Sequence, residues 1–175
     1  SGNFSDIPES LLFPLEGLDI RLFSNWLANF GDVILHAAGV CVDGRGYCFP
    51  APSGYGKSTL LKQLVKHDNI LALGEDQVIL RLKNDQFWIY GTPWHENPDL
   101  CSPLGVPLKG FFFLERNGTQ NIKPMATIDS LASLIQNAFI PFYRRETLTN
   151  ILENLSVAVK NVPSWRLDYK LGTNV

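Results

Sequence analysis

The stretch Ala51-Pro52-Ser53-Gly54-Tyr55-Gly56-Lys57-Ser58-Thr59 decides the fold. A phosphate-binding loop is written Gly, four residues, then Gly-Lys-[Ser/Thr]; here Ala51 stands at the first Gly, and Gly56, Lys57 and Ser58 are in place. Gly54 and Gly56 let backbone N–H groups turn toward phosphate oxygens at points where a Cβ would obstruct them. A helix opening near Lys57 adds its positive end and its unpaired N–H groups. Lys57 brings a full charge to the β- and γ-phosphates, and the Ser58 hydroxyl is suited to Mg²⁺. Ser53, Tyr55 and Thr59 complete the loop, whose implied ligands are ATP and Mg²⁺.

Upstream, Val33–Val42 is an apolar run that reads as a strand. Asp43-Gly44-Arg45-Gly46 signals a turn, and Tyr47–Pro50 a second strand, so a hairpin runs directly into the loop. Downstream, Lys57 to about Lys66 carries Leu60, Leu61, Leu64 and Val65 at helical spacing. Three short strands follow, Ile70–Leu73, Gln77–Leu82 and Gln86–Tyr90, the last two joined by a break at Lys83-Asn84-Asp85. A Pro-rich loop is expected from Gly91 to Pro107, then a strand at Leu108–Leu114. Beyond Pro124 the period turns helical: Ile128, Leu131, Ala132, Ile135, Ala138 and Phe139 share one face, with Thr127 as a cap. A second helix is expected from about Arg145 to Lys160, and Trp165–Leu171 alternates as a half-buried strand. Residues 1–31 read as a lead-in with one short helix, and 32–175 as the loop-bearing domain.

The acids Glu75 and Asp76 follow Gly74 at the end of the expected strand Ile70–Leu73. Carboxylates there stand beside the phosphate loop, one to hold Mg²⁺ directly or through water, one to accept a proton from an incoming hydroxyl. His36, inside an apolar strand, reads either as a hydrogen-bonded core residue or as a group brought near the phosphates.

The chain has 175 residues, 45% hydrophobic and 18% charged, with net charge −2. That length buries roughly 70% of the unfolded surface, so neither disulfide nor metal staple is required. The charge balance leaves no footprint for nucleic acid or an anionic membrane. No apolar run approaches a membrane span, and a cytoplasmic setting is expected. Cys41, Cys48 and Cys101 lack metal spacing and read as reduced, mostly buried thiols.

Two architectures compete for such a loop. Pro52 to Leu61 is similar to ABC-transporter ATPases, but the chain has no Leu-Ser-Gly-Gly-Gln signature and no long apolar strand ending in Asp-Glu. The fuller resemblance is to the catalytic domain of HPr kinase/phosphorylase and its HPr-kinase-like relatives, which share a nucleotide-binding fold with phosphoenolpyruvate carboxykinase. It is carried by Ile34–Val40, the hairpin, Ser53–Ser58, Gly74-Glu75-Asp76-Gln77-Val78, Gly91-Thr92-Pro93-Trp94 and Val162–Leu167, covering about residues 32–172.

That resemblance implies an α/β fold with a mixed sheet and C-terminal helices, and a kinase that passes the γ-phosphoryl of ATP to a hydroxyl on a protein serine or small molecule. By position it makes His36 the active-site histidine, Lys57 the phosphate lysine and Ser58 a magnesium ligand. Glu75 and Asp76 match a pair of aspartates, the first a general base. Here that first acid is Glu, one methylene longer, and Asp76 is the alternative base. The family's Gly-Leu-Gly-Ile-type segment is missing, so an acceptor other than HPr is expected. Glu96 is the candidate for a further magnesium ligand. Arg144 and Arg145 read as a solvated helix end, and self-association is expected from the family's hexamers. Two further readings are a non-catalytic ATP-binding sensor and a bare NTPase.

Overall fold

The computed structural model describes residues 18–94, 97–116, 118–141 and 144–169. Glu96, and the ends of the expected lead-in and terminal strand, lie outside the described residues.

The order is α1 (Leu18–Ala28), β1 (Val33–Val42), β2 (Arg45–Pro50), α2 (Lys57–Leu64), β3 (Ile70–Gly74), β4 (Gln77–Lys83) and β5 (Gln86–Gly91). A short 3₁₀ turn (Pro98–Leu100) precedes β6 (Gly105–Glu115), β7 (Asn121–Pro124), α3 (Thr127–Gln136), β8 (Ala138–Phe139), α4 (Arg145–Asn161) and β9 (Ser164–Asp168). The strands form one mixed sheet in the order β2-β1-β4-β5-β6-β9-β7, with β3 and β8 also paired to β1. Only β2–β6 and β6–β9 are parallel among the described pairings. The expected mixed α/β class is therefore what the chain adopts, with a sheet that is mostly antiparallel.

The hairpin turns follow from residue type. Asp43 and Gly44 both hold positive φ, as do Asn84 and Asp85, the backbone a two-residue hairpin requires to match strand twist. Arg45 and Gly46, expected in the first turn, already belong to β2.

Apart from His36, β1 is apolar along its length because both of its faces are covered. Leu35, Ala37 and Cys41 join a core with Leu134 of α3 and Ile151, Leu155 and Ala158 of α4. Ala38 and Val40 join a second core with Leu60 and Leu61 of α2 and Phe49 of β2. α1 adds Ile20 and Leu27 against Ile34. Asp32, 3% exposed, accepts from Arg81 Nε at 2.8 Å and anchors the entry to β1 on β4.

Several boundaries differ from expectation. β6 begins at Gly105, so the tail of the expected Pro-rich loop is strand; Pro107 sits opposite Trp88 just before the β2 pairing starts at Leu108, a strand-end position that tolerates a missing donor. Ala138 and Phe139 leave the helix and pair with Leu35 and Ile34. Thr127 is the first residue of α3; Ala126 occupies the cap position, without a side-chain cap bond. α2 stops at Leu64, two residues early. No helix among the described residues is long and apolar enough to cross a membrane.

Candidate nucleotide-phosphate site

Strand direction explains where the site forms. β2, β6 and β9 run parallel, and β3 shares the direction of β2 because both are antiparallel to β1. Their carboxyl ends therefore open at one edge of the sheet, where ligands of α/β sheets collect. β2 ends into the phosphate loop, β3 into Glu75 and Asp76, β6 into Arg116 and β9 into Tyr169. β1 brings His36 to the same edge: Ala37 pairs with Pro50, the last residue of β2, and the Ala37 N–H donates to Asp76 O at 2.9 Å.

A cavity of about 360 Å³ lies there, lined by Ser53, Gly54, Gly56, Lys57, Ser58, Thr59, Glu75, Asp76 and Arg116. Gly54 and Gly56 hold φ of 79° and 86°, a left-handed conformation that costs an L side chain about 1–2 kcal/mol. Gly56 caps α2 with no side-chain hydrogen bond, so the first N–H groups of the helix have no side-chain cap partner at the edge of the cavity. Tyr55 lies in the loop but does not line the cavity; its carbonyl, and that of Gly56, accept from the Tyr169 hydroxyl. This donor-rich cradle, with two basic side chains and hydroxyls from Ser58 and Thr59, suits an anionic group such as a phosphate.

Lys57, 6% exposed, is held by its neighbours. Its Nζ donates to Ala51 O at 3.0 Å and Pro52 O at 3.3 Å, and lies 2.9 Å from His36 Nε2. Burial lowers its pKa below the ordinary lysine value, partly offset by the Asp76 carboxylate 3.9 Å away. His36 Nε2 is also 2.9 Å from Asp76 Oδ1. That hydrogen bond is the chief cause holding the Asp76 carboxyl below its ordinary range, against burial and with help from the charges of His36 and Lys57.

The two acids part company. Asp76, half-exposed, joins His36 and Lys57. Glu75, 3% exposed, uses Oε1 to accept the Asn97 N–H at 2.7 Å and so hooks the loop after β5 onto the end of β3. The same loop is tied by Thr92 Oγ1 to Gln77 O at 2.9 Å and by Ser102 N–H to Leu73 O at 3.1 Å. A side chain one methylene longer than Asp has the reach for that hook.

Sequence reading missed Arg116 and the pair Asp168-Tyr169. Arg116 closes the apolar run Gly110–Leu114, so its signal is a charge at the carboxyl end of a strand, the same signal that marked Glu75 and Asp76. Asp168, 5% exposed, accepts from Gly118 N–H at 3.0 Å, from Thr119 N–H at 3.1 Å and from the Thr119 hydroxyl. Adjacent residues of one strand end thus hold both walls, the phosphate loop through Tyr169 and the Arg116-bearing turn through Asp168. Arg144 and Arg145 are exposed at the start of α4 and do not line the cavity. Cys41 and Cys48 are free, buried thiols, and burial pushes the Cys48 thiol up.

No protein-family model and no curated protein matches the chain. Among solved structures it is similar to the Hpr(Ser) kinase/phosphatase from Coxiella burnetii, at 11% identity over 81% of this chain and 82% of that one, with a TM-score of 0.47. A likeness at that level carries no weight for function.

Proposed function

We propose that this chain is an ATP-dependent phosphotransferase that moves the γ-phosphoryl group to a hydroxyl, with Asp76 as the base. The observation that carries this reading is the convergence of Lys57 and Asp76 at the wall of the phosphate cavity, with His36 Nε2 at 2.9 Å from each. ATP with Mg²⁺ would be held by the backbone of Ser53–Thr59, Lys57, the Ser58 hydroxyl and Arg116, and would supply the transferable group. Catalysis of this kind is positioning and charge neutralisation more than covalent chemistry.

Asp76 suits the base because its carboxylate is half-exposed at the cavity wall and kept ionised by its neighbours. Glu75 is spent on the Asn97 hook and acts as a positioning residue. His36 orients Asp76, and Lys57 neutralises phosphate charge. The motif resemblance to HPr-kinase-like proteins points to the same reaction class, with an acceptor other than HPr.

One observation favours a second reading, a non-catalytic ATP sensor: the first acid after β3 is buried and engaged with the backbone. The discriminating experiment is single-turnover release of ADP from Mg-ATP by the wild type and by Asp76→Asn. Slow turnover that falls by about 10²-fold or more in the variant supports the base; tight binding without turnover in the wild type supports the sensor.

A further inference from the structure

Asp76 lines a second cavity, of about 290 Å³, together with His36, Gln136, Asn137, Ala138 and Phe139. Among the described residues it alone lines both cavities. The second cavity has a fixed frame. The His36 N–H donates to Asn137 O at 2.7 Å, and β8 pairs Ala138 with Leu35. A carboxylate standing between a phosphate cradle and a separate small cavity is where a base must stand to take a proton from a bound hydroxyl.

The chemistry of the second cavity selects its occupant. No Lys or Arg lines it among the described residues, and its carboxylate is that of Asp76, with Lys57 Nζ 3.9 Å from Oδ1 on the phosphate side. α3 ends there with no basic residue in its last turn; its last carbonyls are met by Asn137, whose Nδ2 donates to Ser133 O at 2.8 Å. Phe139 presents a half-buried ring, a surface that attracts ammonium groups. Gln136 is exposed and supplies an amide. An anionic acceptor would set its charge against the Asp76 carboxylate; an ammonium would be attracted by it and by the Phe139 ring. The volume lies at the small end of ligand sites.

Resting on the phosphotransferase reading, we propose that this cavity is the acceptor site and takes a small amino alcohol, a hydroxyl and an ammonium in one molecule, in preference to phosphorylated or carboxylate-bearing acceptors. The acceptor oxygen forms a bond to the γ-phosphorus as the bond from that phosphorus to the β,γ-bridging oxygen breaks. The electron pair leaves with ADP, and the hydroxyl proton passes to the Asp76 carboxylate, giving a phosphate monoester, ADP and one proton.

The test uses the full chain, labelled with ¹⁵N and titrated first with a non-hydrolysable ATP analogue and Mg²⁺, read at the Gly54 and Gly56 amides. Ethanolamine and glycerol 3-phosphate are then added separately and read at the Asn137 backbone and Gln136 side-chain amides. Ethanolamine should move the Gln136 and Asn137 signals, and glycerol 3-phosphate should need at least tenfold higher concentration. Gln136→Lys should weaken ethanolamine fivefold or more while nucleotide affinity stays within twofold. In the transfer assay, ethanolamine should raise ADP release and yield a phosphate monoester. Equal or tighter binding of glycerol 3-phosphate, ethanolamine signals that stay still, or no response to Gln136→Lys would each overturn the acceptor assignment. Loss at the first step, with Gly54 and Gly56 unmoved by nucleotide, would instead sink the phosphotransferase reading beneath it.

Discussion

Lys57 Nζ lies 2.9 Å from His36 Nε2. The same ring nitrogen is 2.9 Å from Asp76 Oδ1. One nitrogen offers either a lone pair to the ammonium or an N–H to the carboxylate, not both at once. The proton on His36 is therefore tied to where Lys57 points. On the proposed function, a phosphate oxygen that drew Lys57 forward would free His36 to donate to Asp76, and so would couple nucleotide binding to the orientation of the base.

Lys57 carries a folding cost. Burial lowers its pKa in the folded protein, so the native state resists the charged form at neutral pH. The penalty is present below the folded pKa and is relieved as pH rises from there toward the unfolded value. Lys57→Met should lose ATP affinity by about 100-fold or more, the loss of a charge-assisted contact in a desolvated site. Its melting temperature at pH 7 should equal or exceed that of the wild type, with the difference shrinking at alkaline pH. Calorimetry across pH 7 to 10 checks both signs.

Asp76 shows the opposite dependence. Its folded pKa is depressed, so its contribution is present above the unfolded carboxylate value and is lost as pH falls through the folded one. Below about pH 4 the wild type should lose stability more steeply than Asp76→Asn in urea titrations. An identical acid slope in the two proteins would place the carboxylate outside the His36 hydrogen bond.

Glu75→Gln separates anchor from base. The amide oxygen retains acceptance from the Asn97 N–H, now as a neutral bond worth roughly half of the charged one. Hydrogen exchange at Asn97 should speed up, while turnover falls by less than about tenfold, against about 10²–10⁴-fold for Asp76→Asn. The reverse ranking of the two variants would return the base to Glu75.

Tyr169→Phe removes the hydroxyl that donates to the Tyr55 and Gly56 carbonyls. The expected cost is about 1 kcal/mol of stability and a several-fold weaker nucleotide affinity. An unchanged affinity would mean that the loop keeps its shape without the strand end.

Arg81→Met strands a buried Asp32 carboxylate, 3% exposed. Arg81 is 38% exposed, so the cost should fall below the roughly 3–5 kcal/mol of a fully buried pair, and denaturant unfolding should show it. Asp32→Asn with Arg81→Met should recover part of that loss, because the charge is then gone.

Much of the candidate site was legible because its signals are local. Gly54, Gly56, Lys57 and Ser58 lie within one turn and one helix start, and the Asp43-Gly44 hairpin places its strands by its own backbone demands. Arg116 and Tyr169 were not, since they reach the loop only through the parallel pairings of β6 with β2 and β9, which link residues far apart in the chain. β8 escaped because Ala138 and Phe139 stay in phase with the apolar face of α3 for one turn more. β7 is exposed throughout and has no alternation to read. The separate duties of Glu75 and Asp76 depend on where Asn97 folds back, a contact no spacing rule anticipates.

The most direct measurement is titration of ATP with Mg²⁺ into the wild type and Lys57→Met by calorimetry. The account predicts saturable one-site binding in the wild type, lost in the variant although the variant stays folded. Absence of binding in the wild type, or equal binding in both proteins, would contradict the assignment of Ser53–Thr59 as a nucleotide-phosphate site.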